Sequence, residues 1–255
     1  MLLRLEDMQY KRGLNFELRL NLNLKTGSRV LLRGGNGSGK TSLLNILAGI
    51  YPLSAGKLLH GLLPGNIAIL GHECSLYPEL TVRENLLFWL RIEAALLGGS
   101  RANLKEMADD ALGRLKLTPL ADELACKLSR GMLQRLALGR IFLSRANLIL
   151  LDEPENGLDD QFFSLLMREM LLKSGATIVW ASHNLPANYA FEGQQMFTHV
   201  LCLQAYLGFP GVFGGELQEL NSTYLKNTDV AAPSDSSNVD GELPPFFPLL
   251  GDTLC

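Results

Sequence analysis

Cysteine is scarce and scattered in this chain. Its four cysteines, Cys74, Cys126, Cys202 and Cys255, fall into no C-x-x-C pair. That spacing gives no sign of a cysteine-based zinc site or a disulfide framework and fits a reducing compartment. The histidines, His60, His72, His183 and His199, stand equally far apart, so a metal cluster would have to be assembled by long-range folding. A long basic run is also missing, and the formal net charge is −3, which argues against nucleic acid as the main partner. Long hydrophobic runs are absent too. The most apolar stretch, Leu86-Leu87-Phe88-Trp89-Leu90, is cut by Arg91 and Glu93, well short of the roughly 20 apolar residues a spanning helix requires. No direct membrane span is expected, and no internal repeat is visible.

The 255 residues suffice for one substantial core, divisible into two lobes. Phe16, Leu18, Leu20, Leu22 and Leu24 alternate with Glu17, Arg19, Asn21 and Asn23, a period of two that marks a half-buried strand in an antiparallel sheet. Lys25-Thr26-Gly27 reads as the turn that follows it. Ile67–Leu70 reads as a short buried strand. From Thr81 to about Leu115 the pattern changes to helix, with Leu104, Met107, Ala111 and Leu115 at helical spacing. Leu148–Leu151 and Ala176–Trp180 are unbroken apolar runs, as expected of central parallel strands covered on both faces. Strands alternating with helices predict a doubly wound α/β core. After about Pro210, glycine, proline, serine and aspartate accumulate, and this composition predicts a disordered tail over 209–255. Within it, Phe246–Leu250 reads either as a docking peptide or simply as a sticky end.

Gly34-Gly35-Asn36-Gly37-Ser38-Gly39-Lys40-Thr41 reads G-x-x-x-x-G-K-[ST]. The strand-like run Ser28–Arg33 precedes it, and Thr41, Ser42 and the leucines beyond open a helix, the context a working phosphate loop needs. Glycines let many backbone N–H groups curl round a triphosphate. Lys40 supplies a point charge to the outer phosphates, the Thr41 hydroxyl can ligate Mg²⁺, and the helix N-terminus adds a favourable dipole. The chain is therefore expected to bind a nucleoside triphosphate.

Two further pieces complete a catalytic set. The strand Leu148–Leu151 ends in Asp152-Glu153-Pro154. Asp152 is placed to hold Mg²⁺, mainly through water, and Glu153 to orient and deprotonate an attacking water. Upstream, Leu128-Ser129-Arg130-Gly131-Met132-Leu133-Gln134-Arg135 opens an apolar helix, and Ser129 and Gly131 there form a second anion-binding helix end. One chain could close both ends on one nucleotide, or two copies could exchange them.

Together with Gly157-Leu158-Asp159 and Ser182-His183, these motifs resemble the ATP-binding cassette (ABC) ATPases, in the family's order and over about residues 1–205. The resemblance implies a phosphate-loop ATPase of ABC type, with a mixed core sheet, an N-terminal antiparallel β-subdomain and a compact helical subdomain at about 74–127, in a domain spanning 1–208. It implies an ATP-dependent head-to-tail homodimer, in which two ATP molecules lie between the phosphate loop of one subunit and Ser129 and Gly131 of the other. Asp159 would communicate across that dimer. His183 would contact the γ-phosphate, although a core or capping histidine is the alternative at that position. Tyr10 matches the aromatic that stacks on adenine, an ordinary strand-edge tyrosine being the other reading. Glu73 occupies the place of a glutamine that joins Mg²⁺ to the membrane-domain contact, where a carboxylate can still ligate the ion. Arg130 and Met132 stand where many members have Gly and Gln, while the Ser129 hydroxyl and Gly131 amide are retained.

Leu70-Gly71-His72, followed by Leu80-Thr81-Val82-Arg83-Glu84-Asn85-Leu86-Leu87-Phe88-Trp89, resembles the ATP-binding subunits of haem exporters in bacterial-type cytochrome c maturation. That resemblance implies integral membrane permease subunits as partners and a peripheral place on the cytoplasmic face of the inner membrane. The same motifs also fit an exporter ATPase for drugs, lipids or polysaccharide. A soluble ABC ATPase fits less well, because no second cassette, coiled-coil insertion or basic surface is present.

Overall fold

The computed structural model describes residues 2–62, 65–71, 75–97, 102–173, 175–187, 189–206 and 211–220. Strands β1 (Leu3–Lys11), β2 (Glu17–Leu24) and β3 (Arg29–Gly34) lead into helix α1 (Lys40–Leu47) and strand β4 (Ala55–His60). Strand β5 (Ile67–Leu70) precedes helices α2 (Val82–Leu97), α3 (Leu104–Arg114) and α4 (Arg130–Leu143). Then come β6 (Leu148–Asp152), α5 (Asp160–Leu172) and β7 (Thr177–Ala181). Short strands β8 (Ala190–Phe191) and β9 (Gln194–Gln195) are followed by β10 (His199–Ala205), β11 (Val212–Gly214) and β12 (Leu217–Glu219). The chain divides into two compact units, one running to Gly61 and resuming at Thr177, the other Leu62–Ala176.

The first unit is built on a mixed sheet in the order β4-β1-β2-β11-β10-β3-β7, with β12 also paired to β10. β1 runs antiparallel to both β2 and β4. The period of two in β2 does what it predicts: Leu18, Leu20, Leu22 and Leu24 are buried, and the residues between them are not. β3 lies parallel to β10 on one side and to β7 on the other. All five residues of β7 are buried, so its continuous apolar run reflects cover on both faces. Two elements fall where composition predicted tail. β11 pairs in parallel with β2 and antiparallel with β10, and β12 pairs with β10. The expectation of disorder from 209 is corrected for 211–220, because an edge in register can order a glycine-rich segment that has little apolar surface of its own. Residues from 221 onward lie outside the described residues.

The second unit carries the parallel pair β5–β6, in register from Ile67↔Leu148 to Leu70↔Leu151, and the helices. The helix expected over 81–115 is two helices, α2 and α3. Ala108, Ala111, Leu112 and Leu115 line the buried face of α3 and its end. Arg140 ties α4 to its neighbours. Its guanidinium lies 4.1 Å from the Trp89 ring centroid and donates to the Ile69 carbonyl, and its burial lowers its pKa from the ordinary arginine value.

The Thr81-x-x-Glu84-Asn85 segment has a local structural job. The Thr81 N–H donates to the Glu84 carboxylate at 2.8 Å, and the Glu84 N–H donates to the Thr81 hydroxyl at 3.1 Å, a capping box that starts α2. Asn85 is fully buried. Its amide donates to the carbonyls of Tyr77 (3.0 Å), Leu80 (3.3 Å) and Thr81 (3.0 Å), and its oxygen accepts from the Tyr77 N–H at 2.9 Å. One side chain thus satisfies a whole turn. The three carbonyls each keep a backbone donor (the Leu80, Ala125 and Asn85 N–H groups), so Asn85→Ala chiefly leaves the Tyr77 N–H without its acceptor and is expected to lower stability by about 1–3 kcal/mol. Urea denaturation measures it, and a loss below about 0.5 kcal/mol would contradict this account of the turn.

Candidate functional site

In the first unit the phosphate loop joins β3 to α1. Gly34 ends the strand at φ 149° and Gly39 caps the helix at φ 99°, backbone conformations that side-chain-bearing residues rarely adopt. Space forbids a side chain as well. A Cβ on Gly39 would lie 2.7 Å from the Phe16 ring, and one on Gly34 would lie 2.8 Å from the Leu203 carbonyl oxygen. Lys40 is nearly buried, and its ammonium donates to the Gly34 and Gly35 carbonyls at 2.8 and 3.1 Å. The lysine thereby folds back over the loop. Gly35, Asn36, Gly37 and Thr41 are exposed, and Ser42 is buried. The Ser38 hydroxyl is buried without a hydrogen-bond partner among the described residues, an orphaned group of the kind that awaits a ligand.

His183 belongs to the same unit. β7 ends at Ala181, opposite Leu32 of β3, and the Ser182 N–H donates to the Leu32 carbonyl at 3.1 Å. The buried Ser182 hydroxyl accepts from the N–H groups of Asn184 and Leu185, both at 3.1 Å. This local turn leaves His183 exposed at the strand's end. The phosphate loop and His183 therefore leave the carboxyl ends of adjacent parallel strands, the edge where ligands bind in such sheets.

Tyr10 lies on β1. It is 9% exposed, stacked on Tyr51 with centroids 5.6 Å apart and planes 8° apart. Its outward neighbour Phe16, 6.4 Å away edge-on, is the ring against Gly39. The exposed Arg12 lies over Phe16 at 5.2 Å, and Phe213 of β11 stacks on it at 5.6 Å. In the sequence Phe16 stands in the alternating run read as a strand and Arg12 in no motif, so neither Phe16 against Gly39 nor Arg12 over Phe16 is legible without the fold.

In the second unit, Asp152 is buried at the end of β6. Glu153 follows at φ 48°, a left-handed conformation unusual for a residue with a side chain and typical of functional turns. Its carboxylate accepts from the Asn156 side-chain amide at 2.6 Å. Ser129 caps α4, its hydroxyl 3.4 Å from the Met132 N–H. Gly131 sits on the Gly157 carbonyl, from which an added Cβ would be 3.1 Å. Asp159 caps α5, accepting from the Phe162 N–H at 2.8 Å. That hydrogen bond, with Arg135 and Lys116 nearby, lowers its pKa from the ordinary carboxylate value. The unit thus gathers Ser129, Gly131, Asp152, Glu153 and Asp159. Glu73 lies outside the described residues. Among the described residues no three His, Cys, Asp or Glu side chains cluster to hold a metal.

A strand, a glycine loop with a lysine folded over it, and a helix define a phosphate-loop nucleotide-binding protein. The family model for ABC transporters matches residues 18–156, and the chain belongs to the ABC transporter family. The cytochrome c biogenesis ATP-binding export protein CcmA of Bordetella bronchiseptica is 42% identical over 175 residues, 64% of this chain and 75% of that one. CcmA of Paracoccus denitrificans is 38% identical over 186 residues, 71% of this chain and 82% of that one. Among solved structures, the ATP-binding subunit of an ABC transporter aligns with TM-score 0.71 at 23% identity, covering 89% of this chain and 93% of that one. A dimeric post-hydrolysis state of an ATP-binding cassette bound to ADP and Pi aligns with TM-score 0.68 at 22% identity, covering 87% and 100%. The fold is that of an ABC-type phosphate-loop ATPase.

If Arg12 on Phe16 forms the platform for the base, Arg12→Ala and Phe16→Ala should each weaken ATP binding about 3–10-fold. Tyr10→Ala should lower the melting temperature and leave ATP affinity within about twofold. Titration with a fluorescent ATP analogue tests both, and the opposite ranking would return the role to Tyr10.

Proposed function

We propose that this chain is the ATP-hydrolysing subunit of an ABC transporter in cytochrome c biogenesis, serving haem export or release of haem from its chaperone. For the chemistry, the observation that carries the reading is the pairing of β3 with β7, whose carboxyl ends lead into the phosphate loop and into Ser182-His183. For the pathway, the support is the similarity to relatives named as cytochrome c biogenesis export proteins.

In this reading Lys40 leaves the loop carbonyls to meet the outer phosphates, and the loop amides and the Ser38 hydroxyl complete the cradle. Thr41 and Asp152 are the donors for Mg²⁺, joined by Glu73 if its carboxylate reaches the ion. Hard oxygen ligands of this kind suit that cation, which neutralises phosphate charge when bound. Glu153 takes a proton from water as its oxygen attacks the γ-phosphorus. The bond from that phosphorus to the β–γ bridging oxygen breaks, and ADP and phosphate leave. His183 holds the γ-phosphate for in-line attack. Ser129, Gly131 and Asp159 act on the nucleotide of a second copy in a head-to-tail dimer, where the departures at Arg130 and Met132 leave the Ser129 hydroxyl and Gly131 amide in place.

Among the described residues no helix is long and apolar enough to cross a membrane. In this reading the transport path belongs to integral membrane subunits, and the chain sits peripherally on the cytoplasmic face of the inner membrane.

Glu153→Gln removes the base while keeping its shape. The variant should lose ATP turnover by about 100-fold or more and accumulate as an ATP-bound dimer in size-exclusion chromatography. Purified with ATP from solubilised native membranes, it should bring down small multi-spanning proteins of the cytochrome c maturation system. An unrelated permease would discard haem and keep transport, ribosomal or DNA-repair proteins would overturn transport, and wild-type turnover would remove Glu153 from its role.

A further inference from the structure

The loop that leaves the acidic strand end is tied to α4 at both of its ends. At its start, the Gln134 side-chain amide donates to the Pro154 carbonyl at 3.2 Å. At its finish, the Arg135 guanidinium pairs with the Asp159 carboxylate and lies 5.0 Å from the centre of the Phe162 ring. Between these ties the backbones run close, and a Cβ added to Gly131 would lie 3.1 Å from the Gly157 carbonyl oxygen. Asp159 divides its two oxygens: one accepts from the Phe162 N–H, the other from Arg135.

A solvent-exposed ion pair by itself contributes little to stability, and Asp159 is 53% exposed. The arrangement is informative for its geometry. A planar guanidinium held by both a carboxylate and a ring face has one orientation, and a lysine cannot reproduce it. With Gln134 at the other end, the segment 154–159 has little slack relative to the first turns of α4. Glu153 is bound into that segment through Asn156.

We infer that Arg135 is a positioning residue that makes the start of α4 and the loop behind Glu153 move as one body, so that nucleotide contact at Ser129 and Gly131 sets the geometry of the general base in the same copy. The inference rests on the proposed dimeric ATPase. Coupling of this kind needs a contiguous element that both sites bias, and α4 with its bracketed loop is such an element.

The test uses the full chain with Arg135→Ala, Arg135→Lys, Asp159→Asn and the Arg135→Ala/Asp159→Asn double variant. For each, kcat, KM for ATP and melting temperature are measured, the kinetics well below the transition. Arg135→Ala should lose kcat roughly 10–100-fold, the scale of a misplaced catalytic group, with KM within about threefold of wild type. Arg135→Lys, which keeps the charge and loses the stack, should recover part of the loss. The double variant should lose less than the product of the two single losses, because the Arg135–Asp159 contact is common to both while the other roles of Asp159 are not. Wild-type kcat in Arg135→Ala, additive losses in the double variant, or a loss that tracks the unfolded fraction would each overturn the inference. A wild-type chain without ATPase activity would sink the parent reading and this inference together, whereas an active wild type beside an active Arg135→Ala sinks this inference alone.

Discussion

The turn of the backbone from β3 into α1 is the constraint on which the rest depends. A strand must stop, curl tightly enough to aim its amides inward, and restart as a helix within a few residues. Two glycines permit the curl and two neighbours enforce it: Phe16 leaves no room for a side chain at Gly39, and the Leu203 carbonyl leaves none at Gly34. Phe16 stands just before β2 and Leu203 lies in β10, so the form of the loop depends on segments far apart in the chain. Lys40 then completes the cradle by bonding the loop's own carbonyls. A buried ammonium is costly unless its donors are satisfied, and the loop carbonyls satisfy it until an anion offers better partners.

The second unit solves a different problem with polar pins. Its helices carry modest apolar faces, and side chains with several hydrogen-bonding groups fix them in register. Asn85 holds the turn ahead of α2, Arg140 lies between the Trp89 ring and the Ile69 carbonyl, and Arg135 joins α4 to the start of α5. Asn85 and Arg135 are legible as polar residues at motif positions, and Arg140 is not. What each pin holds is invisible until its partners are known, because those partners are mostly backbone carbonyls or residues some 20 to 70 positions away in the chain.

Regular patterns carried furthest in the sequence. The period of two in β2, the apolar runs that became β6 and β7, and the glycine spacing of 34–41 all describe local backbone geometry, which the nearest residues largely dictate. Composition carried less. The segment 211–220 looked too poor in apolar residues to order itself, and it does not do so alone: β11 and β12 borrow the edges of β2 and β10. Tyr10 shows the same limit. Its residue type is open to a base platform or an ordinary strand-edge tyrosine, and only the fold shows that its ring stacks on Tyr51 while Phe16 packs against Gly39.

The sequence by itself determined that a triphosphate is bound and which residue types surround it, since amide-rich turns, acidic strand ends and helix caps are local chemical facts. It also determined the alternation of strands and helices, because hydrophobic period follows from backbone geometry. Tertiary structure alone decided that β3 and β7 are neighbours, so that the phosphate loop and Ser182-His183 leave adjacent strand ends. It alone packed Phe16 against Gly39 and joined Arg135 to Asp159. Those outcomes depend on strand order and helix packing, which no local window of residues contains.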